Sequence, residues 1–350
     1  MQGKMKAAVM TDLMTTEFEQ RDIPQISDKE VLVKVGYVGI CGSDLHYYEF
    51  GRIGNFIVET PFVLGHEVSG TVVEVGSEVK NLKIGDVVAL EPQITCGHCE
   101  HCKEGNYNLC EDVEFFATPP IDGVFQEYVS HPADLCFKFP EGMTMLEGAM
   151  IEPLSVGFHA VNQADINLGD TVIITGAGCI GLTALQSAKA AGAAKVILSD
   201  LSENRLKKAK ELGADFVINP KNEDFIERVR EITNGRGFDV GIETAGTEIT
   251  TRQLIDCSKK EGTIVLVGYS ASGEETLPIG KVLDKELILK SVFRYRHTYP
   301  RAIELVNTKQ IDVSKIVTHI YNFDDTPNAL KEAIENKDEV VKAAIKVGED

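Results

Sequence analysis

The sequence predicts an α/β chain in two parts, a small irregular β-barrel followed by a doubly wound parallel sheet. Three observations lead there. From Val31 to about Pro140, short β-type runs (VLVKVGYVGI, GTVVEVG, DVVAL, FQEYVS) are broken by Gly, Pro and Asp turns, with little helical periodicity. After IEPLSVGFHAV, unbroken apolar strands alternate with amphipathic helices, as strands buried on both faces require. At 350 residues the chain exceeds one ordinary core and fits two domains, each able to bury apolar surface without crosslinks.

Taken in order, TVIITGAG reads as a buried strand, CIGLTALQSAKAAGA as a helix ending at glycine, KVILSD as a second strand and SENRLKKAKELGA as a second helix. DFVINP, FDVGIETAG, GTIVLVG and ELILKSVF continue as strands, with DFIERVREITNG a helical connection. Beyond Phe293 a Pro-containing turn and two helical stretches, YPRAIELVNTK and TPNALKEAIEN, finish the chain.

Composition narrows the function. With 43% hydrophobic and 25% charged residues the chain has the make-up of a soluble globular protein. A formal net charge of -19 opposes phosphate backbones, so no nucleic acid partner is expected. No apolar run reaches the roughly eighteen residues of a membrane helix, and MQGKMKAAVMTDLM has no long hydrophobic segment with a cleavage site. A cytoplasmic location is expected, where cysteines are thiols or metal ligands.

Gly176-Ala-Gly178-Cys-Ile-Gly181 follows the strand TVIIT and opens a helix. The first glycine permits the tight turn, the second lets backbone approach a pyrophosphate, and the third lets helix and strand pack closely. Asp200 lies nineteen residues past Gly181, where a carboxylate accepts from adenosine ribose hydroxyls and repels a 2'-phosphate. NAD is therefore favoured over NADP, with Arg205 nearby as the opposing feature. A glycine-rich turn without ligand is the plain alternative.

Cys96, Cys99, Cys102 and Cys110 fall within fifteen positions, spaced C-x2-C-x2-C-x7-C. One loop can wrap a tetrahedral ion with four thiolates, which leaves no open position for substrate, so a structural zinc lobe is expected. Disulfides and an iron-sulfur cluster are the alternatives; His98 and His101 are expected to face solvent. A second ligand set is scattered: Cys41, His66, Glu67 and Glu152. One thiolate, one imidazole and one carboxylate suit an open catalytic zinc site, while each taken singly also fits a core or surface residue.

LGHEVSGTVVEVG, the Gly85-Asp86 turn, the four-cysteine lobe and GxGxxG together resemble the zinc-dependent medium-chain dehydrogenases. GICGSDLHYYEFGRIGNFIV, FFATPPIDG, IEPLSVG and SVFRYRHTYP look like their sorbitol (L-iditol 2-) and xylitol dehydrogenases, so the resemblance spans nearly the whole chain. It implies a GroES-like catalytic domain over residues 1–156 with the zinc lobe at 94–110, a Rossmann NAD-binding domain over 157–293, and a return to the catalytic domain over 294–350. It also implies oxidation of a polyol (sorbitol, xylitol or iditol) to the ketose, with hydride passing to NAD.

The resemblance implies one catalytic zinc on Cys41, His66 and either Glu67 or Glu152, and one structural zinc. Ser43 and His46 match a proton relay, and Tyr47, Phe115, Glu152, Arg294 and Tyr295 would line a polar pocket. Ile180, Asp200, Arg205, Val267 and the segment Val292, Phe293, Arg294 join the glycines around the cofactor. A homotetramer is the implied assembly. Two features depart from common members: vertebrate sorbitol dehydrogenases lack most of the lobe, and Cys179 replaces a frequent proline. A dehydrogenase for 2,3-butanediol or L-threonine is the alternative enzyme, and a zinc-stabilised NAD-binding scaffold or sensor the alternative outside catalysis.

Overall fold

The computed structural model describes residues 1–270 and 273–348. They form two compact units: Met1–Glu152 with Tyr299–Asn307 and Val317 onward, and Pro153–Thr298 with Thr308–Ile316. The divisions thus fall at 152/153 and 298/299, not at 156/157 and 293/294, and a short later segment rejoins the second unit.

In the first unit the long strand Glu30–Ile40 is the organiser. Val31, Leu32, Val33, Val35 and Val38 are each at most 1% exposed, so apolar residues occupy both faces. The sheet runs Cys136–Lys138, Val87–Leu90, Glu67–Val75, Glu30–Ile40, Ala343–Lys346, His319–Asn322, and Tyr128–Pro132 pairs with the first half of Glu30–Ile40. A smaller sheet, Thr15–Asp22, Lys4–Asp12 and Phe62–Val63, packs its apolar residues into the same core. Register breaks along Glu30–Ile40 and Glu67–Val75 bend the sheet towards a barrel. Gly39 pairs with Glu67, and a Cβ there would lie 1.9 Å from Glu67 Oε2, so a larger residue would displace that carboxylate.

The second unit is a six-stranded, all-parallel sheet in the order Phe216–Ile218, Lys195–Ser199, Thr171–Thr175, Phe238–Glu243, Ser258–Leu266, Ile288–Ser291. Val172, Ile173, Ile174, Ile197, Leu198 and Ile264 are fully buried, which is why these strands are unbroken apolar runs. Three of the connecting helices begin at side-chain caps: Ser202, Asp224 and Thr247 each accept from the backbone N–H three residues on. The strand order reverses direction between Thr171–Thr175 and Phe238–Glu243, opening the crevice where such sheets take ligands.

Elements not anticipated from the sequence include the helix Gly42–Phe50, the N-terminal strand Lys4–Asp12 with its partner Thr15–Asp22, and the late strands His319–Asn322 and Ala343–Lys346. The two late helical stretches are present as Tyr299–Asn307 and Thr326–Glu335.

Candidate active site

The strand Glu30–Ile40 delivers Cys41 to the N-cap of the helix Gly42–Phe50. Asp44, in the first turn of that helix, is fully buried; its Oδ2 accepts from the Cys41 N–H at 2.9 Å and its Oδ1 from the Gly65 N–H at 2.9 Å. One carboxylate thus clamps the two loops that carry Cys41 and His66. His66 Nδ1 stands 3.4 Å from Asp44 Oδ1, the arrangement that fixes a ligating imidazole through its other nitrogen. Glu67 opens the next strand, and Lys342, 3% exposed, forms an ion pair with it while donating to the Ile40 carbonyl at 2.9 Å. The Phe115 ring closes the other side of His66, 5.6 Å away between centroids.

The ligand atoms of Cys41, His66 and Glu67 lie within 4.8 Å of one another. A thiolate, an imidazole and a carboxylate at that separation fit a zinc ion with one position open. Burial alone would lower the pKa of His66, but Asp44 and Cys41 beside it hold the imidazole well above its ordinary value. A cation at this site therefore displaces a proton as it binds. Glu152, 5% exposed on the helix Ile151–Ala164, is not among the residues whose ligand atoms converge there. Ser43, His46 and Tyr47 share one side of the helix Gly42–Phe50; Tyr47 is buried, Ser43 and His46 are half-buried, and the His46 ring packs 4.8 Å from Phe50.

Cys96, Cys99, Cys102 and Cys110 converge to the same closeness. The lobe is wound so that backbone N–H groups point at sulfur: Cys99 to Cys96 at 3.3 Å, Cys102 to Cys99 at 3.4 Å and Cys96 to Cys110 at 3.4 Å. Backbone N–H groups of His98 and Cys99 lower Cys96 to about 6, whereas burial pushes Cys110 up to about 12. Four thiolates at this spacing fit a divalent metal held without an open position. All eight cysteines are thiols, so the disulfide alternative has no support in the fold. His98 is exposed and His101 half-buried.

In the second unit Gly176 has φ 97° and its carbonyl would lie 1.9 Å from a Cβ at Gly181, so the turn and the helix contact both require glycine. Nothing lies within 4 Å of where a Cβ at Gly178 would stand, leaving the backbone open to a pyrophosphate at the N-terminus of the helix Cys179–Ala190. Asp200 Oδ2 accepts from the Ala177 N–H at 2.7 Å and Oδ1 from the Ser202 N–H at 2.8 Å, so the acid also pins the glycine loop. Ile180 lies in the first helical turn and Arg205 in the first turn of the next helix, both half-buried. Val267 and Val292 follow adjacent parallel strands, donating to the Glu243 and Leu266 carbonyls at 2.9 Å. Arg294 adopts φ 54° with its guanidinium 4.9 Å over the Phe293 ring, and Tyr295 is fully buried. These three residues belong to the second unit, whereas Tyr47, Phe115 and Glu152 belong to the first.

Sequence reasoning passed over Asp44, Lys342 and Thr244. Thr244 donates to the Thr175 and Gly176 carbonyls at 2.8 and 3.2 Å and so braces the glycine turn. Asp44 had a readable signal, an acid three residues after the N-cap position; Lys342 had none, because its partner is distant in sequence.

A GroES-like domain of alcohol dehydrogenases matches residues 27–141, and a zinc-binding dehydrogenase domain matches 179–308. A sorbitol dehydrogenase of Bacillus subtilis (strain 168) is 44% identical, the alignment covering 97% of each chain. A D-xylulose reductase A of Aspergillus niger is also 44% identical, over 93% of this chain and 92% of the relative. Among solved structures, L-idonate 5-dehydrogenase from Escherichia coli K-12 superposes with a TM-score of 0.93 at 32% identity, covering 99% of both chains.

Proposed function

We propose, on the premise that the chain belongs to the zinc-dependent medium-chain dehydrogenases and to their sorbitol and xylitol branch, that it oxidises a secondary hydroxyl of a polyol to the ketose, with hydride transfer to NAD. The observation that carries this reading is the convergence of Cys41, His66 and Glu67 in a buried setting, in a chain whose other unit has an open glycine loop for a dinucleotide. When bound, zinc lowers the pKa of the substrate hydroxyl and NAD takes up the hydride.

The chain's own residues supply the rest. Cys41 and His66 hold the metal with Glu67 as the third ligand; Glu152 stays close in sequence to the first unit's edge as the second candidate carboxylate. Asp44 orients His66. Ser43 and His46, on one side of a helix, pass the hydroxyl proton outward. Gly176, Gly178 and Gly181 admit the pyrophosphate, while Asp200 accepts from the ribose and disfavours the 2'-phosphate of NADP. Tyr47 and Glu152 in the first unit and Arg294 in the second carry the polar groups that suit a hydroxyl-rich substrate, since such groups left without partners penalise a bare aliphatic alcohol.

A homo-oligomer is supported by the open edge strand Ile288–Ser291, where Ile288 and Leu289 are exposed, next to a helix, Ile279–Asp284, with no buried residue and Leu283 71% exposed. A tetramer is the size the family suggests. No helix among the described residues is long and apolar enough to cross a membrane, and the free cysteines suit a reducing cytoplasm.

Initial rates of NADH formation with D-sorbitol, xylitol, 2,3-butanediol, L-threonine and ethanol, each with and without a chelator, test the proposal. Chelator-sensitive turnover led by sorbitol or xylitol is expected. Leadership by butanediol or threonine would overturn the pocket assignment, and no turnover by zinc-replete protein would overturn the enzyme reading.

A further inference from the structure

The four-cysteine lobe is an excursion between two short strands, Gln93–Ile94 and Glu114–Phe115, which pair antiparallel with Ile94 opposite Glu114 and Gln93 opposite Phe115. The lobe therefore enters and leaves the barrel through one narrow stem. The last residue of that stem, Phe115, is the residue whose ring rests on His66, 5.6 Å between centroids and tilted by 56°.

The stem is tied down by a buried polar cluster that no catalytic step uses. Glu91 is 3% exposed and Gln93 fully buried. Glu91 Oε1 accepts from Gln93 Nε2 at 2.7 Å and from the Tyr107 hydroxyl at 3.0 Å. Tyr107 sits in the lobe, on the single 3-10 turn Tyr107–Leu109 that leads into Cys110. The Glu91 carbonyl in turn meets His131 Nε2 at 2.8 Å, and the His131 ring packs 4.7 Å from Phe116, the next residue after Phe115. One arm of the stem, through Gln93, and the turn that presents the fourth cysteine thus converge on one buried carboxylate, while the other arm reaches the same residue through Phe116, His131 and the Glu91 carbonyl. A buried carboxylate is tolerated only while donors satisfy it, so withdrawing one of them obliges its surroundings to rearrange.

We propose that Tyr107 and Glu91 are positioning residues through which the four-cysteine lobe holds Phe115 against His66, so that an ordered lobe tightens metal retention at the Cys41–His66–Glu67 site. This rests on the reading of that trio as a metal centre. Mechanically, an ordered lobe keeps Tyr107 on Glu91. Glu91 and Gln93 then fix the stem, and the stem fixes the ring that confines the imidazole. Partners that orient a ligating histidine without touching the metal commonly change affinity by about 10–100-fold when removed.

The test uses the full chain loaded with zinc. Release of metal to a colorimetric chelator is followed over time for wild type, Tyr107→Phe and Phe115→Leu, with total zinc counted beforehand. The slot vacated at each site is then refilled with Co(II), whose absorption distinguishes a tetrathiolate from a single-thiolate site. Two zinc ions per wild-type chain, with about tenfold faster loss from the single-thiolate site in both variants, is the expected result. Phe115→Leu leaves the tetrathiolate phase unchanged, which separates loss of the ring from loss of the lobe. Wild type holding only one zinc would overturn the metal-centre reading itself. Two zincs with unchanged release in Tyr107→Phe would overturn the coupling while leaving that reading intact. If Tyr107→Phe does not fold, Phe115→Leu alone decides: an unchanged single-thiolate phase refutes the path.

Discussion

Replacing Lys342 by methionine keeps the length of the side chain and removes its charge from beside Glu67. Both residues are almost completely buried, at 3% and 1% exposure, and Lys342 also donates to the Ile40 carbonyl, next to Cys41. Without metal, the variant leaves the Glu67 carboxylate buried with its cationic partner gone, a loss that typically costs about 3–5 kcal/mol. For a folding unit of this size each kcal/mol moves the melting midpoint by about 2–4 °C, so metal-free K342M should melt roughly 6–20 °C below metal-free wild type. Zinc bound at the proposed Cys41–His66–Glu67 site would supply positive charge to the same carboxylate, so saturating zinc should recover a large part of that deficit. Thermal melts of both proteins, after exhaustive chelation and again with excess zinc, measure all four midpoints. A deficit of less than about 1 °C without metal would refute the claim that this ion pair is required. An equal deficit with and without zinc would refute the placement of Glu67 at the metal.

Three further outcomes are expected. Gly181→Ala forces a Cβ to within 1.9 Å of the Gly176 carbonyl, so titration by NADH fluorescence should show at least about tenfold weaker binding at unchanged zinc content. Asp200→Asn removes the charged acceptor proposed for the ribose; the NAD dissociation constant should rise about 10–100-fold, and that for NADP much less, by calorimetry. His131 is held at about 4 by burial, with the Glu91 carbonyl opposing. Its folded pKa is thus depressed below the ordinary 6.5, so the unfolded chain binds the extra proton and stability is lost as pH falls from about 6.5 towards 4. His131→Phe should flatten that acid limb by on the order of 3 kcal/mol in urea melts, despite an added cost at neutral pH.

Much of this architecture is legible in the sequence because the second unit writes it locally. Strands such as TVIIT and KVILS are apolar at their three central positions since both faces are covered, and Gly176, Gly178 and Gly181 recur at a spacing that only the turn explains. The four cysteines are equally local. The helix Gly42–Phe50 was hidden because its buried residues, Asp44, Tyr47 and Tyr48, form no apolar stripe; one of them is a carboxylate held by backbone N–H groups. The strand Ala343–Lys346 is four residues long, and its pairing with Glu30–Ile40 spans most of the chain. Neither length nor periodicity marks such an element. The surroundings of Glu67 were closed to sequence reasoning for the same reason: they depend on Gly39 lying opposite and on Lys342 arriving from afar, and neither fact is local.

That late strand bears on how the protein is made. While the chain emerges from the ribosome, the half of Glu30–Ile40 that leads to Cys41 waits with an open edge until residues 343–346 appear, whereas every strand of the second sheet lies between Thr171 and Ser291. At about 5–20 residues per second, the parallel sheet is complete while the barrel still lacks its closing strand, a gap of a few seconds to roughly ten seconds after Ser291. Lys342 directly precedes that strand, so the Glu67 carboxylate gains its ion-pair partner only after the whole parallel sheet has been made. The parallel sheet can therefore form from one continuous stretch of chain, while the surroundings of Glu67 combine residues far apart in sequence.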